Sequence, residues 1–170
     1  MRYFSKVSPL IWRQKQFRAL RSTEARLLYL YFLTSGHQSS AGAYYLPDNY
    51  PIGDVDMSEA DYHEAKADII RSGAIVYDDD TSEIFITDWF ETNPAMNDKH
   101  AVRIRREIAK IESDALREAV EAAFISADAN RIPDQIKAAK KSIVETFARA
   151  DTGSNNAHLT QTPYLGRRAV

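Results

Sequence analysis

The side chains in this sequence whose types and spacing could do chemistry fall into two groups, carboxylates and cations. Asp78, Asp79 and Asp80 form an acidic run of the kind that ligates calcium. The run lacks the D-x-[DN]-x-[DN]-G spacing and the distal glutamate of a calcium loop, and it reads as a solvated turn. His63-Glu64 begins a zinc-hydrolase motif that Lys66-Ala67 does not complete, so His63 reads as an outward-facing helix residue. There is no cysteine and no G-x-S-x-G, and Ser142 follows Lys140 and Lys141 instead of preceding a lysine at a usable distance. No G-x-x-x-x-G-K-[ST] cradle for a nucleotide occurs. Carboxylates abound, yet nothing apolar beside them would raise one pKa over its neighbour. No catalytic residue, metal or cofactor is expected, and the chain reads as non-enzymatic.

The cations form the second group. Arg13, Lys15, Arg18 and Arg21 lie near the start, Arg103, Arg105, Arg106 and Lys110 lie further on, and Lys66 and Arg71 stand between them. All ten are candidates to contact the phosphates of a nucleic acid. For the first four, a solvated basic helix face is the plainer reading.

The elements that must position these groups follow from patterning. With 170 residues, 44% of them hydrophobic and 11% aromatic, the chain can bury one core and carry an extension. The lack of cysteine fits a reducing compartment. No apolar run approaches the roughly 20 residues that cross a bilayer, and the first residues carry charges inside their one apolar run; a soluble, cytoplasmic protein without membrane contact is expected.

Ser8-Pro9 predicts a first helix over residues 10–20, and Ser22 caps a second over 23–35 whose run of leucines and aromatics leaves hardly any polar face. Residues 43–46 suit a short strand, and residues 48–55 leave room for one or two helical turns. Ser58 with Asp61 opens a helix that Gly73 should stop, with Tyr62, Ala65 and Ile69 on one face and Ile70 at its edge. Residues 74–77 and 83–88 are strand-like around the acidic turn. Asn93-Pro94 breaks the second strand, and helical periodicity returns from Asn97 with a joint at Ser113-Asp114. Pro133 opens a last helix whose Ile136, Ala139, Ile143 and Phe147 either pack on the body or form a dimer seam, and residues 151–170 read as a flexible tail.

Several short motifs stand in a consistent order along residues 2–124: Trp12 and Phe17 as W-x(4)-F; Ser22, Glu24, Ala25, Arg26, Leu27, Leu28 and Leu30 as S-x-E-A-R-L-L-x-L; Gly42 and Pro47 around the short strand; Ser72, Gly73 and Ile75 as S-G-x-I. After the hairpin come Trp89-Phe90, Asn93-Pro94, Asn97 and Lys99-His100-Ala101. In this the chain resembles winged-helix proteins of bacteriophages and prophages, of the replication-organiser or primosome-like N-terminal type. The resemblance implies a mainly α fold with a small β-wing: a winged helix-turn-helix domain over residues 1–90, a helical C-terminal extension over 91–150, and the tail. It also implies binding of double-stranded DNA in phage replication initiation or transcription regulation, or recruitment of a replication protein, in the host cytoplasm.

Charge complicates that expectation. Residues 1–26 hold seven Lys or Arg against Glu24 alone, whereas residues 48–91 hold thirteen Asp or Glu against Lys66 and Arg71. An acidic third helix and an Asp-rich wing would be repelled by duplex phosphates. Either DNA lies on the basic segments, with contacts mainly to phosphate, or Glu59, Asp61, Glu64, Asp78, Asp79 and Asp80 dock the module on a basic replication or host protein, in the extreme as a DNA mimic. A salt-sensitive homodimer, one copy's basic start on another's acidic face, is the third arrangement.

Overall fold

The computed structural model describes residues 5–129, 141, 142 and 145. Ser8 accepts a hydrogen bond from the Leu10 amide (3.2 Å), and with Pro9 in first position it starts a 3-10 turn over Pro9–Arg13. Gln14 is extended, and helix α1 (Lys15–Ala19) follows. The single helix expected over residues 10–20 is thus two pieces. Ile11 and Phe17 would point about 120° apart on one continuous helix at 100° per residue; the break at Gln14 lets both be buried.

Helix α2 (Thr23–Thr34) begins where the Ser22 hydroxyl accepts from the Ala25 amide (3.0 Å). It buries Ala25, Leu28, Tyr29 and Phe32 but leaves Leu27 exposed, so it is not enclosed on all sides as its composition predicts. Strand β1 (Ala43–Tyr45) and helix α3 (Asn49–Val55) lead to helix α4 (Glu59–Arg71). The Ser58 hydroxyl caps α4 by accepting from the Asp61 amide, and Gly73 takes the left-handed conformation (φ 75°) beyond its end. Strands β2 (Ile75–Asp78) and β3 (Glu83–Ile86) form the hairpin, and helix α5 (Trp89–Thr92) closes it. Helix α6 (Asp98–Ile108) is capped by Asn97, whose side chain accepts from the His100 amide (2.9 Å). Helix α7 covers residues 114–129, capped by the Ser113 hydroxyl accepting from the Leu116 amide (3.3 Å).

The result is a mainly helical fold with a small antiparallel sheet in the order β1-β3-β2. Residues alternate between the faces of a strand, and here each face has its own helical cover. Tyr44, Ile84 and Tyr77 share a register row; the Tyr44 hydroxyl donates to the Phe32 carbonyl of α2 (2.7 Å), and the Tyr77 ring meets Lys66 of α4. On the other face the Glu83 carboxylate accepts from the Glu112 and Ser113 amides at the start of α7 (3.1 and 2.9 Å). All four residues of β3 are therefore buried.

One apolar cluster runs from Ile11 to Phe124 and crosses residue 90 without a break, with the Phe90 and Phe124 rings 5.3 Å apart. The chain divides into two compact units, Met1–Arg131 and Ile132–Val170. The helix expected from Pro133 and the tail over 151–170 lie outside the described residues, except that Lys141, Ser142 and Glu145 are helical. Among the described residues, no helix is long and apolar enough to cross a membrane.

Candidate nucleic-acid interface

Helix α6 separates its residues by chemistry more sharply than α2 or α4. Ala101, Ile104 and Ile108 are buried. At 100° per residue, Lys99, Arg103 and Arg106 fall within about 60° of one another on the opposite side and span about 10 Å of axis, and Lys110 follows in the turn just past the helix end. All four are exposed. Lys99, Arg103 and Arg106 make no ion pair among the described residues, and Lys110 holds only Glu107, one turn back (3.2 Å). Cations in the last turn also favour the negative end of the helix dipole. The stripe is a row of long, solvated cations on a rigid rod.

Arg105 does not belong to that row. Its guanidinium donates to Asp128 of α7 (3.1 Å) and lies over the Phe124 ring (5.4 Å), tying the two helices together. The sequence counted it with its neighbours because the basic run is contiguous; helical geometry turns it onto another face.

The N-terminal cations Arg13, Lys15, Arg18 and Arg21 are all exposed, and none is in an ion pair among the described residues. Arg21 reaches α4 through its backbone, its amide donating to the buried Asp68 carboxylate (2.8 Å). Arg71 donates to the other oxygen of the same group (3.0 Å), its own side chain largely solvated. Asp68 thus gathers Arg21 and Arg71 to one place at the end of α4.

Lys66 must be removed from the set. Its side chain is only 7% exposed, and its ammonium donates to Asp48 (2.9 Å) and Asp79 (3.2 Å) while sitting 3.3 Å from the Tyr77 ring centroid. The Tyr62 hydroxyl also donates to Asp48 (2.6 Å). This cage joins α4 to the start of α3 and to the hairpin turn, and no phosphate can reach the ammonium. Burial alone would raise the Asp48 carboxyl, but Tyr62 and Lys66 outweigh it and hold the group below its ordinary range. Burial, reinforced by the Asp48 charge, pushes the Tyr62 and Tyr77 hydroxyls up.

Of the acids, Glu59, Asp61 and Glu64 are exposed on α4, with Asp61 accepting from the Ser58 hydroxyl (2.6 Å). In the turn, Asp78 accepts from the Asp80 and Thr81 amides (2.9 and 3.3 Å). The Ser113 hydroxyl, then these amides, hold its carboxyl low. Asp79 belongs to the Lys66 cage, and Asp80 is exposed. Among the described residues no group of three or more His, Cys, Asp or Glu is placed to hold a metal ion.

Sequence reasoning missed Lys99 as a member of the stripe, although its spacing of four, seven and eleven residues to Arg103, Arg106 and Lys110 is legible once Asn97 is taken as the cap. It also missed the Lys66 cage and the Glu83 contact, which join residues far apart in the chain. Comparison with family models, curated proteins and solved structures finds no match to this chain.

Proposed function

We propose that the protein is a non-enzymatic winged-helix DNA-binding protein that holds duplex DNA by its phosphates along the outer stripe of α6. The winged-helix reading is supported by the order α2, β1, α3, α4, β2, β3 and by the placement of β1 beside β3, so that the strand after the first helix completes the sheet begun by the hairpin. The motifs resembling phage and prophage proteins supply the proposed setting, replication initiation or transcription regulation in the host cytoplasm.

The observation that carries the proposal is the set Lys99, Arg103 and Arg106, exposed on one side of α6, with Lys110 exposed in the turn that follows it. Four phosphate contacts give a slope of log affinity against log salt of about −3.6, so raising salt from 50 to 200 mM weakens binding roughly 150-fold. Replacing Arg103 and Arg106 by alanine halves the slope to about −1.8, and the same salt change then costs roughly 12-fold. The experiment is an anisotropy titration of labelled duplex at both salt concentrations. Absence of binding at low salt, or an unaltered slope in the double variant, overturns the proposal.

A second reading is favoured by the outward face of α4. Glu59 and Glu64 stand there beside Ala60, Ala67 and an Ile70 that is 42% exposed, and no cation precedes Arg71 on that side. An apolar strip edged with acids suits a basic protein partner better than a major groove. Capture of replication or host proteins that is lost on Glu59→Lys with Glu64→Lys supports this adaptor role; capture indifferent to the reversal removes it.

A further inference from the structure

The two tryptophans occupy opposite environments. Trp89 is 2% exposed and donates its indole N–H to the Ser40 carbonyl (3.1 Å), whereas Trp12 is 63% exposed on the 3-10 turn, next to an equally open Leu10. Trp12 is nevertheless held in place. Ile11 beside it is buried, the Gln14 amide closes the turn on the Ile11 carbonyl (3.1 Å), and the Trp12 ring makes a T-shaped contact with the buried Phe17 (centroids 5.2 Å apart, planes at 88°). A T-shaped contact fixes the orientation of a ring and engages it on one side at most, which fits the 63% exposure of Trp12.

Along the chain on either side of this ring the charge is of one sign, and the fold adds Asp88, which accepts from the Gln16 side-chain amide. The first acid in the chain is Glu24, and Arg13, Lys15 and Arg18, neighbours of Trp12 and Phe17 in the chain, are exposed and make no ion pair among the described residues. A preorganised, exposed aromatic ring flanked in the chain by exposed cations matches a ligand with flat π-surfaces strung on an anionic backbone. A duplex hides its base faces; an unpaired strand offers them. A bilayer surface calls for a longer apolar face than Leu10 and Trp12 on a five-residue turn provide.

We infer that Trp12 is a stacking site for an unpaired base of single-stranded DNA, with Arg13, Lys15 and Arg18 holding the adjoining phosphates. The choice of DNA over RNA rests on the duplex reading above; the surface itself is separate from α6.

The test uses the full chain and its own fluorescence. Because Trp89 is buried, quenching of tryptophan emission by oligothymidylate reports Trp12, and it is expected to saturate. Trp12→Phe should abolish the quench yet keep binding of labelled oligothymidylate, since a ring remains. Trp12→Ala should weaken that binding roughly 5- to 150-fold, the equivalent of the ~1–3 kcal/mol of one base–aromatic stack, while Trp89 emission and the unfolding temperature show the fold intact. No quench, or equal affinity in Trp12→Ala, overturns the inference. So does a blue shift with anionic phosphatidylglycerol vesicles in place of the quench, and so does quenching by oligouridylate but not oligothymidylate. The protein carrying Arg103→Ala and Arg106→Ala should keep the quench, so a duplex salt slope left unaltered there fails the α6 proposal alone.

Discussion

Replacing Lys66 by methionine keeps the aliphatic stem and deletes the charge at the centre of the cage. Removing one member of a buried ion pair costs about 3–5 kcal/mol when the partner is left without water. Here the partners are only partly buried: the Asp48 side chain is 31% exposed and that of Asp79 87%. Asp79 therefore contributes within the ~0–1 kcal/mol range of a surface pair. The ammonium over Tyr77 adds about 1–2 kcal/mol because it is desolvated, and the rehydration open to Asp48 brings the expected loss to about 2–3 kcal/mol. At this chain length that is a fall in Tm of roughly 4–12 °C.

The acid limb supplies a second reading of the same variant. Asp48 has its carboxyl lowered in the fold, so its contribution is fully present above the unfolded value and is lost as pH falls through the folded one. Without Lys66 the lowering shrinks, and the gap between parent and Lys66→Met should narrow below about pH 4. Thermal unfolding followed by circular dichroism at pH 7 and pH 3 measures both effects. A loss under about 0.5 kcal/mol at pH 7, the scatter of ordinary surface substitutions, or a gap equal at both pH values, would refute the assignment of the cage as a stabilising ion pair.

Two glycines with the same backbone sign should respond differently. Gly42 (φ +73°) has no room for a Cβ, which would lie 2.2 Å from Trp89 Cγ, so Gly42→Ala should cost about 2–5 kcal/mol from strain and overpacking together. Gly73 (φ +75°) faces open space, so Gly73→Ala should cost only about 1–2 kcal/mol; urea unfolding ranks the two, and equal losses would count against the Gly42–Trp89 contact. Glu83→Ala removes the acceptor for two amides at the start of α7 and should cost about 1.5–3 kcal/mol in the same assay. Its m-value should stay unaltered, because the unfolded chain exposes the same surface.

What the sequence made legible was local. Ser22, Ser58, Asn97 and Gly73 mark helix ends through contacts within three or four residues, and each stands where their types place it. The break at Gln14 was hidden, because Ser8-Pro9 and the basic run beyond it fit a continuous helix; only the need to bury both Ile11 and Phe17 divides it. The charge map misled in a specific way. Among the acids counted against DNA, Asp48 and Asp79 hold Lys66, Asp68 holds Arg21 and Arg71, Asp88 holds Gln16, and Glu83 caps α7. Such uses depend on which distant elements the fold brings together, and no spacing rule records them. The same holds for the cations: counting placed Lys66 and Arg105 with the solvated cations of their stretches and omitted Lys99, which shares the exposed side of α6.

The double covering of β3 bears on how this module can be cut and reused. Its middle strand has no solvent side of its own: helices that come before it in the chain shield one surface, and chain that comes after Phe90 shields the other. A piece ending just after Phe90 would leave Phe85 and Phe90 bare to water and the Glu83 carboxylate without its amides. Grafting the hairpin and its helices onto another protein therefore requires carrying α6 and α7 along, so any DNA grip seated on α6 travels with the part of the molecule that keeps the sheet dry.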